Sequence, residues 1–175
     1  AFQHLHSWVA YVVSRAMSQW FLALVARIAF ATAALASLPV LAGPACFDEA
    51  ARRYHVPVEL LKAISMVESR GDPNARNYNT NGSYDIGHMQ INSWWLKTLE
   101  QYGITEEPLL EPCVNTNIGA WVLAQNIARY GLTWNAVGAY NAASDSKRLV
   151  YARKVATTLR SQQMKAVKAA KQTQG

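Results

Sequence analysis

The alternation of apolar and polar positions predicts several helices arranged around one small hairpin. Residues 46–54 form a short amphipathic helix, and Pro57 suits the first turn of a second helix, VELLKAISMVES. Gly71-Asp72-Pro73 ends that helix, and the polar stretch NARNYNTNGSYD follows. Its Asn81-Gly82 pair, placed between residues 78–80 and 83–85, is a strong local signal for a β-hairpin.

After the hairpin, the chain has the helical period. We predict helices over residues 93–102 with Asn92 as N-cap, over 114–130 ended by Gly131, over 134–141, and from about Asp145 onward. The last helix has a packing stripe at Leu149, Ala152, Val155 or Ala156, and Leu159. From about residue 161 its composition predicts a fraying end. The fold class is therefore α+β, predominantly helical, with a small β-hairpin.

The first 45 residues predict an export segment. An uncharged apolar run of fifteen residues, 28–42, follows two arginines. It is shorter than the roughly 20 residues that span a bilayer, but it is typical of a signal peptide. Small residues offer cleavage after Ala42 or Ala45, and Met17 is a candidate start. An uncleaved membrane anchor is the alternative, although Arg27 would interrupt it.

The net charge of +6 is concentrated at the C-terminal end. Residues 46–146 carry seven Lys/Arg against eleven Asp/Glu, a balance of −4, whereas residues 147–175 carry eight Lys/Arg and no acid. This distribution does not favour a nucleic-acid-binding face. We predict three parts: upstream residues plus signal peptide (1–45), one catalytic domain (46–160) and a basic tail (161–175). The tail is a solvated end or, alternatively, a docking segment for an anionic cell wall, membrane or protein partner.

Cys46 and Cys113 are the only cysteines, and an even pair in an exported chain predicts a disulfide. It would stabilise the fold by about 4 kcal/mol in the chain-entropy account. Two buried free thiols are the alternative. The four histidines are scattered and there is no CxxC, so we expect no metal and no cofactor.

Glu68 is the strongest catalytic candidate by position. It follows Ile64 by four residues and Leu61 by seven, so it lies on the apolar stripe of its helix. Burial there would raise the pKa of its carboxyl and keep it protonated near neutrality, as a general acid requires. A surface glutamate at a fraying helix end is the alternative.

Three motifs in order carry a family resemblance: Glu68-Ser69, the GHMQ turn of residues 87–90, and Ala-Tyr-Asn at 139–141. The chain resembles the soluble lytic transglycosylase-like proteins of lysozyme-like fold. It is most similar to the small single-domain members that accompany type III or type IV secretion, conjugation or type IV pilus machines. The resemblance covers roughly residues 46–153.

The resemblance implies a role for each matching residue. Glu68 is the catalytic acid/base, Ser69 helps to order it and the sugar, and the hydroxyl of Tyr140 holds it. The substrate-binding positions are Ser69, Gly87, Met89, Gln90, Tyr140 and Asn141. Met89 packing beneath the site, and Gly87 serving only as a backbone position of positive φ, are the alternatives.

His88 and the aromatic residues complete the expected groove. His88 stands where the family usually has Leu, and it is either a buried neutral histidine or a solvent-facing one. Sugar faces stack on aromatic rings. Adjacent helical residues diverge by about 100°, so we expect one of Trp94 and Trp95 in the core and the other at the groove. Tyr78, Tyr84 and Trp134 are expected nearby.

Asp85 at the end of the hairpin separates two reactions. The resemblance implies that Glu68 alone cleaves the bond between N-acetylmuramic acid and N-acetylglucosamine in peptidoglycan and forms a 1,6-anhydro ring. Asp85 is then an auxiliary that stabilises positive charge, or it only holds the hairpin through hydrogen bonds. The alternatives are a hydrolytic muramidase that uses both carboxylates and a non-catalytic peptidoglycan-binding scaffold. We expect a periplasmic monomer whose partners are glycan strands and components of a secretion, conjugation or pilus apparatus.

Overall fold

This computed structural model describes residues 45–173 of the chain. They contain six α-helices and a three-stranded sheet. The predicted signal segment, up to residue 44, lies outside the described residues. The helices are α1 (Phe47–Tyr54), α2 (Val58–Glu68), α3 (Leu96–Leu99), α4 (Pro112–Tyr130), α5 (Trp134–Ala139) and α6 (Asp145–Thr173). The strands are β1 (Arg76–Tyr78), β2 (Tyr84–Ile86) and β3 (Ile91–Asn92). Between residues 45 and 173 no helix is both long and apolar enough to cross a bilayer.

The predicted hairpin is confirmed. Strands β1 and β2 pair antiparallel with Asn77 opposite Asp85, and Gly82 in their connecting loop has φ +83°. A third strand, β3, pairs with β2 and places Asn92 opposite Asp85. The sequence analysis missed β3, because two residues are too few to show an alternating pattern. The small sheet therefore brings asparagine side chains to both sides of Asp85.

The predicted helix over residues 93–102 is present but not uniform. It consists of a 3₁₀ turn at Ser93–Trp95, the short α3, and a second 3₁₀ turn at Glu100–Tyr102. As predicted, the side chain of Asn92 caps it, since its Oδ1 accepts a hydrogen bond from the Trp94 backbone N–H at 3.0 Å. The two tryptophans of this segment are thereby held beside the sheet.

Helix α2 runs through the core along its predicted stripe. Leu60, Leu61 and Ile64 are buried, and the stripe continues to half-buried Glu68 at the last residue of the helix. The disulfide between Cys46 and Cys113 is confirmed, and it joins the start of α1 to the first turn of α4. Helix α6 packs against both α2 and α5. The acid at the end of α2 therefore faces a helix from the far end of the sequence.

Helix α6 departs from the prediction in two ways. It continues to Thr173, so no change of secondary structure marks residue 161, although the residues after 162 are exposed. Its buried face includes Tyr151, Ala152 and Val155, whereas Leu149 is 53% exposed. The predicted stripe was therefore wrong at Leu149, since this residue precedes buried Tyr151 by two positions and so lies about 200° from it around the helix.

Candidate active site

A polar groove of about 910 Å³ opens between the hairpin, the tryptophan turn and the start of α6. The residues lining it are Glu68, Tyr78, Asn79, Thr80, Asn81, Ser83, Asp85, Gln90, Ile91, Asn92, Trp94, Trp95, Val122, Tyr140, Asn141, Ala142, Ala143 and Lys147. Amides, hydroxyls and aromatic rings dominate this surface. Such a lining suits a ligand with many hydroxyl groups and flat apolar faces, as saccharides have.

The structure divides the predicted site residues into two groups. Glu68, Asp85, Gln90, Tyr140 and Asn141 line the groove. The other three, Ser69, Gly87 and Met89, lie outside its lining, and Gly87 and Met89 are buried. For Met89 and Gly87 the structure agrees with the stated alternatives, since Met89 packs in the core and Gly87 has φ +73°. The side chain of Ser69 points toward the turn.

Glu68 is an acid that burial keeps protonated. The pKa of its carboxyl is raised from 4.5 to about 7, first by desolvation and then by the negative charge of Asp85. A hydrogen bond from Tyr151 and the charge of Lys154 lower the pKa in opposition. The balance leaves a carboxyl that can both donate and accept a proton near neutral pH.

Tyr151 holds this carboxyl. Its hydroxyl, on the buried face of α6, donates to Glu68 Oε1 at 2.5 Å. The resemblance had implied Tyr140 for this role, but the Tyr140 hydroxyl donates to the Met89 carbonyl at 2.9 Å. Desolvation raises the pKa of the Tyr140 phenol, and the nearby charge of the Glu68 carboxylate raises it further. Tyr151 rather than Tyr140 binds Glu68 because α6, and not α5, packs against α2 at this point.

Asp85 is fixed by two amides from the sheet. Asn79 Nδ2 donates to Asp85 Oδ2 at 3.1 Å, and Asn92 Nδ2 donates to Asp85 Oδ1 at 2.7 Å. Asp85 therefore takes part in the hairpin hydrogen bonding that was one of its two predicted roles. It also lies close enough to Glu68 to raise the pKa of that carboxyl.

The backbone of residues 86–90 is held by three side chains, one on α4 and one directly after each of α2 and α5. Asn115 on α4 donates to the Ile86 carbonyl at 2.9 Å and accepts from the Met89 N–H at 2.7 Å. Ser69, directly after α2, donates to the His88 carbonyl at 2.9 Å. Tyr140 completes the set from the end of α5, while α6 supports Glu68 beside it. The turn is thus rigid, and its polar backbone groups are satisfied.

His88 is the buried form of the two that were predicted. It is 2% exposed, and desolvation lowers the pKa of its imidazole. Its Nε2 lies 3.0 Å from the Pro112 carbonyl, which can only accept, so Nε2 carries the proton and Nδ1 accepts from the Ser65 hydroxyl at 2.9 Å. His88 thereby links the turn to α2 and to the start of α4, next to the disulfide. It does not line the groove.

The side-chain amide nitrogen of Gln90 is bound to backbone carbonyls. Its Nε2 donates to the Gly87 carbonyl at 2.8 Å and, more weakly, to the Ala75 carbonyl at 3.3 Å. Its backbone has φ +50°, a conformation that non-glycine residues adopt at a cost. Of the side-chain polar atoms, the Oε1 oxygen is then the one left for a ligand hydroxyl.

Both tryptophans line the groove, and Trp95 also packs against the core, as was predicted for one of the pair. Trp94 is 76% exposed, while Trp95 is half-buried and packs edge-on against Trp121 at 5.1 Å between ring centroids. Tyr78 also lines the groove, whereas Tyr84 and Trp134 do not. A 3₁₀ turn separates adjacent side chains by about 120° around the axis. The two rings therefore point in different directions, and Trp95 reaches the groove from a position packed against the core.

Sequence reasoning missed Tyr151 and Asn115. Tyr151 precedes Val155 and Leu159 by four and eight residues, so a phenol on a packing stripe was a detectable signal. Asn115 gave no local signal, because its partners lie 26 to 29 positions earlier in the chain.

A metal site is not supported by the described residues. Over residues 45–173, the potential ligand atoms that cluster are those of Cys46, Glu49 and Cys113. The disulfide removes both thiolates from metal binding.

Comparison with known proteins gives the family. Residues 45–159 match the family described as the transglycosylase SLT domain. The chain is 43% identical over 104 residues to the invasion protein IagB of Salmonella typhi, covering 59% of this chain and 65% of that protein. It is 43% identical over 115 residues to protein IpgF of Shigella flexneri, covering 65% of this chain and 76% of that protein.

A solved structure shows the same fold. An inactive mutant of the lytic transglycosylase Slt from Pseudomonas aeruginosa superposes with a TM-score of 0.55 at 22% identity, covering 69% of this chain and 24% of that chain. This likeness confirms the predicted lysozyme-like fold. The order of the motifs, the fold and the match over residues 45–159 agree, and the chain belongs to the transglycosylase SLT domain family.

Proposed function

We propose that this chain is a peptidoglycan lytic transglycosylase. Its reaction is cleavage of the β-1,4 bond between N-acetylmuramic acid and N-acetylglucosamine, with formation of a 1,6-anhydro ring on the muramic residue. The observation that carries this proposal is one half-buried, desolvated carboxyl, Glu68, with a pKa of about 7 in a groove suited to sugars. The solved Pseudomonas structure of the same fold is an inactive glutamate-to-glutamine mutant, which is consistent with chemistry carried by one glutamate.

The proposed reaction uses Glu68 twice. The protonated carboxyl first gives its proton to the glycosidic oxygen, so that the bond to muramic C1 breaks and the N-acetylglucosamine part leaves as an alcohol. The muramic N-acetyl oxygen stabilises the positive charge at C1. The Glu68 carboxylate then takes the proton from the muramic O6 hydroxyl, whose oxygen attacks C1 and closes the ring. The proton count balances, and water is not consumed.

Asp85 acts in this proposal as a fixed negative charge. Both of its oxygens already accept amide hydrogen bonds, from Asn79 and Asn92, and this makes it a poor nucleophile or general base. Its charge favours the oxocarbenium-like centre and helps to keep Glu68 protonated. Hydrolysis by Glu68 with Asp85 is the second candidate, because both carboxylates line the same groove.

The cellular role follows as a further part of the proposal. The disulfide suits an oxidising compartment, and peptidoglycan as substrate implies the periplasm. The Salmonella relative is an invasion protein by name. We infer that this chain works as a monomer that opens the wall locally for a secretion, conjugation or pilus apparatus.

Digestion of purified sacculi tests the proposal. The wild-type chain should release muropeptides with anhydro ends, each lighter by one water than a reducing end, and Glu68→Gln should release none. Reducing ends alone would support the hydrolytic candidate instead. A Glu68→Gln chain that releases nothing, yet restores apparatus assembly in cells lacking the wild-type protein, would support the scaffold alternative.

A further inference from the structure

Lys147 is an exposed cation in the lining of the groove. It lies in the first turn of α6, and it lines the same groove as Glu68. Among residues 45–173 it forms no ion pair, whereas its neighbour Arg148 pairs with Asp145. The carboxylates of Glu68 and Asp85 do not neutralise it.

The position of Lys147 does not stabilise the helix. A cation in the first turn lies at the positive end of the helix macrodipole, where acidic side chains are favoured. Asp145 already meets that preference. Lys147 is exposed, and its neighbours in the groove lining, Ala142 and Ala143, have short side chains. Its charge is therefore available to a ligand.

Helix geometry places Lys147 close to the reaction centre. It precedes Tyr151 by four residues, so both lie on one face of α6 about 6 Å apart along the axis. Tyr151 binds the catalytic carboxyl. A group held by the Lys147 ammonium would thus be attached to the sugar being cleaved or to its immediate neighbour.

We propose that Lys147 is a specificity residue that binds a carboxylate carried by the muramic acid side of the substrate. The inference rests on the proposed function and goes beyond it. The sugar rings themselves are neutral, and the charged groups of a glycan strand are attached through the lactyl ether of muramic acid. With peptide stems present, the free carboxylates belong to the peptide. After the stems are removed, the lactyl carboxylate itself is free.

Three forms of one soluble glycan preparation test this proposal. The first keeps its peptide stems, the second is the same material with every carboxylate converted to an amide by carbodiimide and ammonia, and the third has been freed of stems by an amidase. Wild type, Lys147→Ala, Lys147→Arg and the control Lys165→Ala are compared by kcat/KM on each. Lys165 is on the same helix but outside the groove.

On stem-bearing strands, Lys147→Ala should lose roughly threefold to tenfold in kcat/KM, mostly through KM, while Lys147→Arg and Lys165→Ala stay within twofold of wild type. On amidated strands the difference between wild type and Lys147→Ala should disappear. A loss confined to stem-bearing strands shows that Lys147 binds only a peptide carboxylate. A loss retained on denuded strands shows that Lys147 also binds the lactyl carboxylate once it is free.

Two outcomes would overturn the inference. One is equal kcat/KM for wild type and Lys147→Ala on stem-bearing strands. The other is an equal loss on charged and amidated strands, which would show that Lys147 acts through folding or through the titration of Glu68. Either leaves the proposed function standing so long as the wild type produces anhydro ends; if the wild type cleaves no strand, the proposed function itself fails.

Discussion

At the scale of single residues, the account depends on how the surroundings of Glu68 set its protonation. Desolvation and the charge of Asp85 raise its pKa to about 7, while the Tyr151 hydrogen bond and the charge of Lys154 oppose that rise. A carboxyl with the ordinary pKa of 4.5 would be almost fully ionised at neutral pH and could not donate. The environment therefore creates the general acid.

The pH dependence of activity should report this carboxyl. Glu68 must begin the cycle protonated, so kcat/KM is expected to fall as the pH rises through about 7. The rate of release of soluble muropeptides, measured from about pH 3 to 9, checks this. A descending limb near pH 4.5 would mean that Glu68 is not buried as described.

The same carboxyl should weaken the fold at alkaline pH. In the unfolded chain Glu68 ionises near 4.5, but in the folded chain it keeps its proton up to about 7, so raising the pH across this window favours unfolding. Glu68→Gln removes that penalty. Its free energy of unfolding relative to wild type should rise by roughly 2 to 3 kcal/mol between pH 4 and pH 8, measured by urea denaturation. A constant difference across that range would contradict the raised pKa.

Replacing Tyr151 with Phe and replacing Tyr140 with Phe should have different effects on the pH dependence of activity. Tyr151→Phe removes a bond that lowers the pKa of Glu68, so the descending limb should move to higher pH and the maximal rate should fall roughly tenfold. Tyr140→Phe loses only the bond to the Met89 carbonyl. It should cost about 1 to 2 kcal/mol of stability and leave the limb in place. A shift of the limb with Tyr140→Phe alone would restore the role that the family resemblance implied.

At the scale of elements, the turn of residues 86–90 is the part that the helices are arranged to hold. Asn115, Ser69 and Tyr140 each bind a backbone group of the turn from a different direction. This turn places Gln90 in the lining of the groove and leads into β3. Its tight fit explains why a glycine precedes His88, since a Cβ at Gly87 would lie 2.4 Å from Asn115 Nδ2.

Gly82 and Gly87 both have positive φ. Comparing their alanine variants therefore separates the cost of the close contact with Asn115 from the cost of backbone strain. Gly87 has φ +73° and Gly82 has φ +83°, but a Cβ at Gly82 meets nothing within 4 Å. Gly82→Ala should therefore cost about 1 kcal/mol, from φ alone. Gly87→Ala carries the same strain and also displaces Asn115, so it should cost about 2 kcal/mol more and reduce activity. Thermal unfolding checks both, and equal costs would show that the turn is not held by Asn115.

Elements could be predicted where their cause is local. The period of α2, the Asn-Gly loop and the Asn92 cap act within a few residues, and the structure has all three. Strand β3 forms only because β2 is already beside it. The buried face of α6 could be predicted only in part. Ala152 and Val155 are buried as predicted, but packing against α2 and α5 leaves Leu149 exposed.

At the scale of the whole molecule, the site is assembled from distant parts of the sequence. Tyr151 follows Glu68 by 83 positions, and Asn115 follows Ile86 by 29. Glu68, Asp85 and Gln90 could be predicted as site residues because the motifs around them are short and ordered. The residues that support them could not, because their partners are defined by the packing of α4 and α6.

The disulfide should contribute to stability at this scale. It links residues 67 positions apart and joins α1 to α4, behind the His88 network. Replacing both Cys46 and Cys113 with Ser should lower the free energy of unfolding by about 4 kcal/mol, measured by denaturation of the folded variant against wild type. A reducing agent should produce a similar loss in wild type and none in the double variant. An unchanged midpoint in the double variant would contradict this estimate.

The central claim is that one glutamate cleaves the glycan without using water, and cleavage in ¹⁸O-labelled water tests it most directly. Purified sacculi are digested in that solvent by wild type and by Asp85→Asn, and the new muramic ends are weighed. We expect anhydro ends free of ¹⁸O from both proteins, with the variant slower because the supporting charge is lost. Reducing ends that carry one ¹⁸O atom, and that disappear with Asp85→Asn, would contradict the claim and identify a two-carboxylate hydrolase.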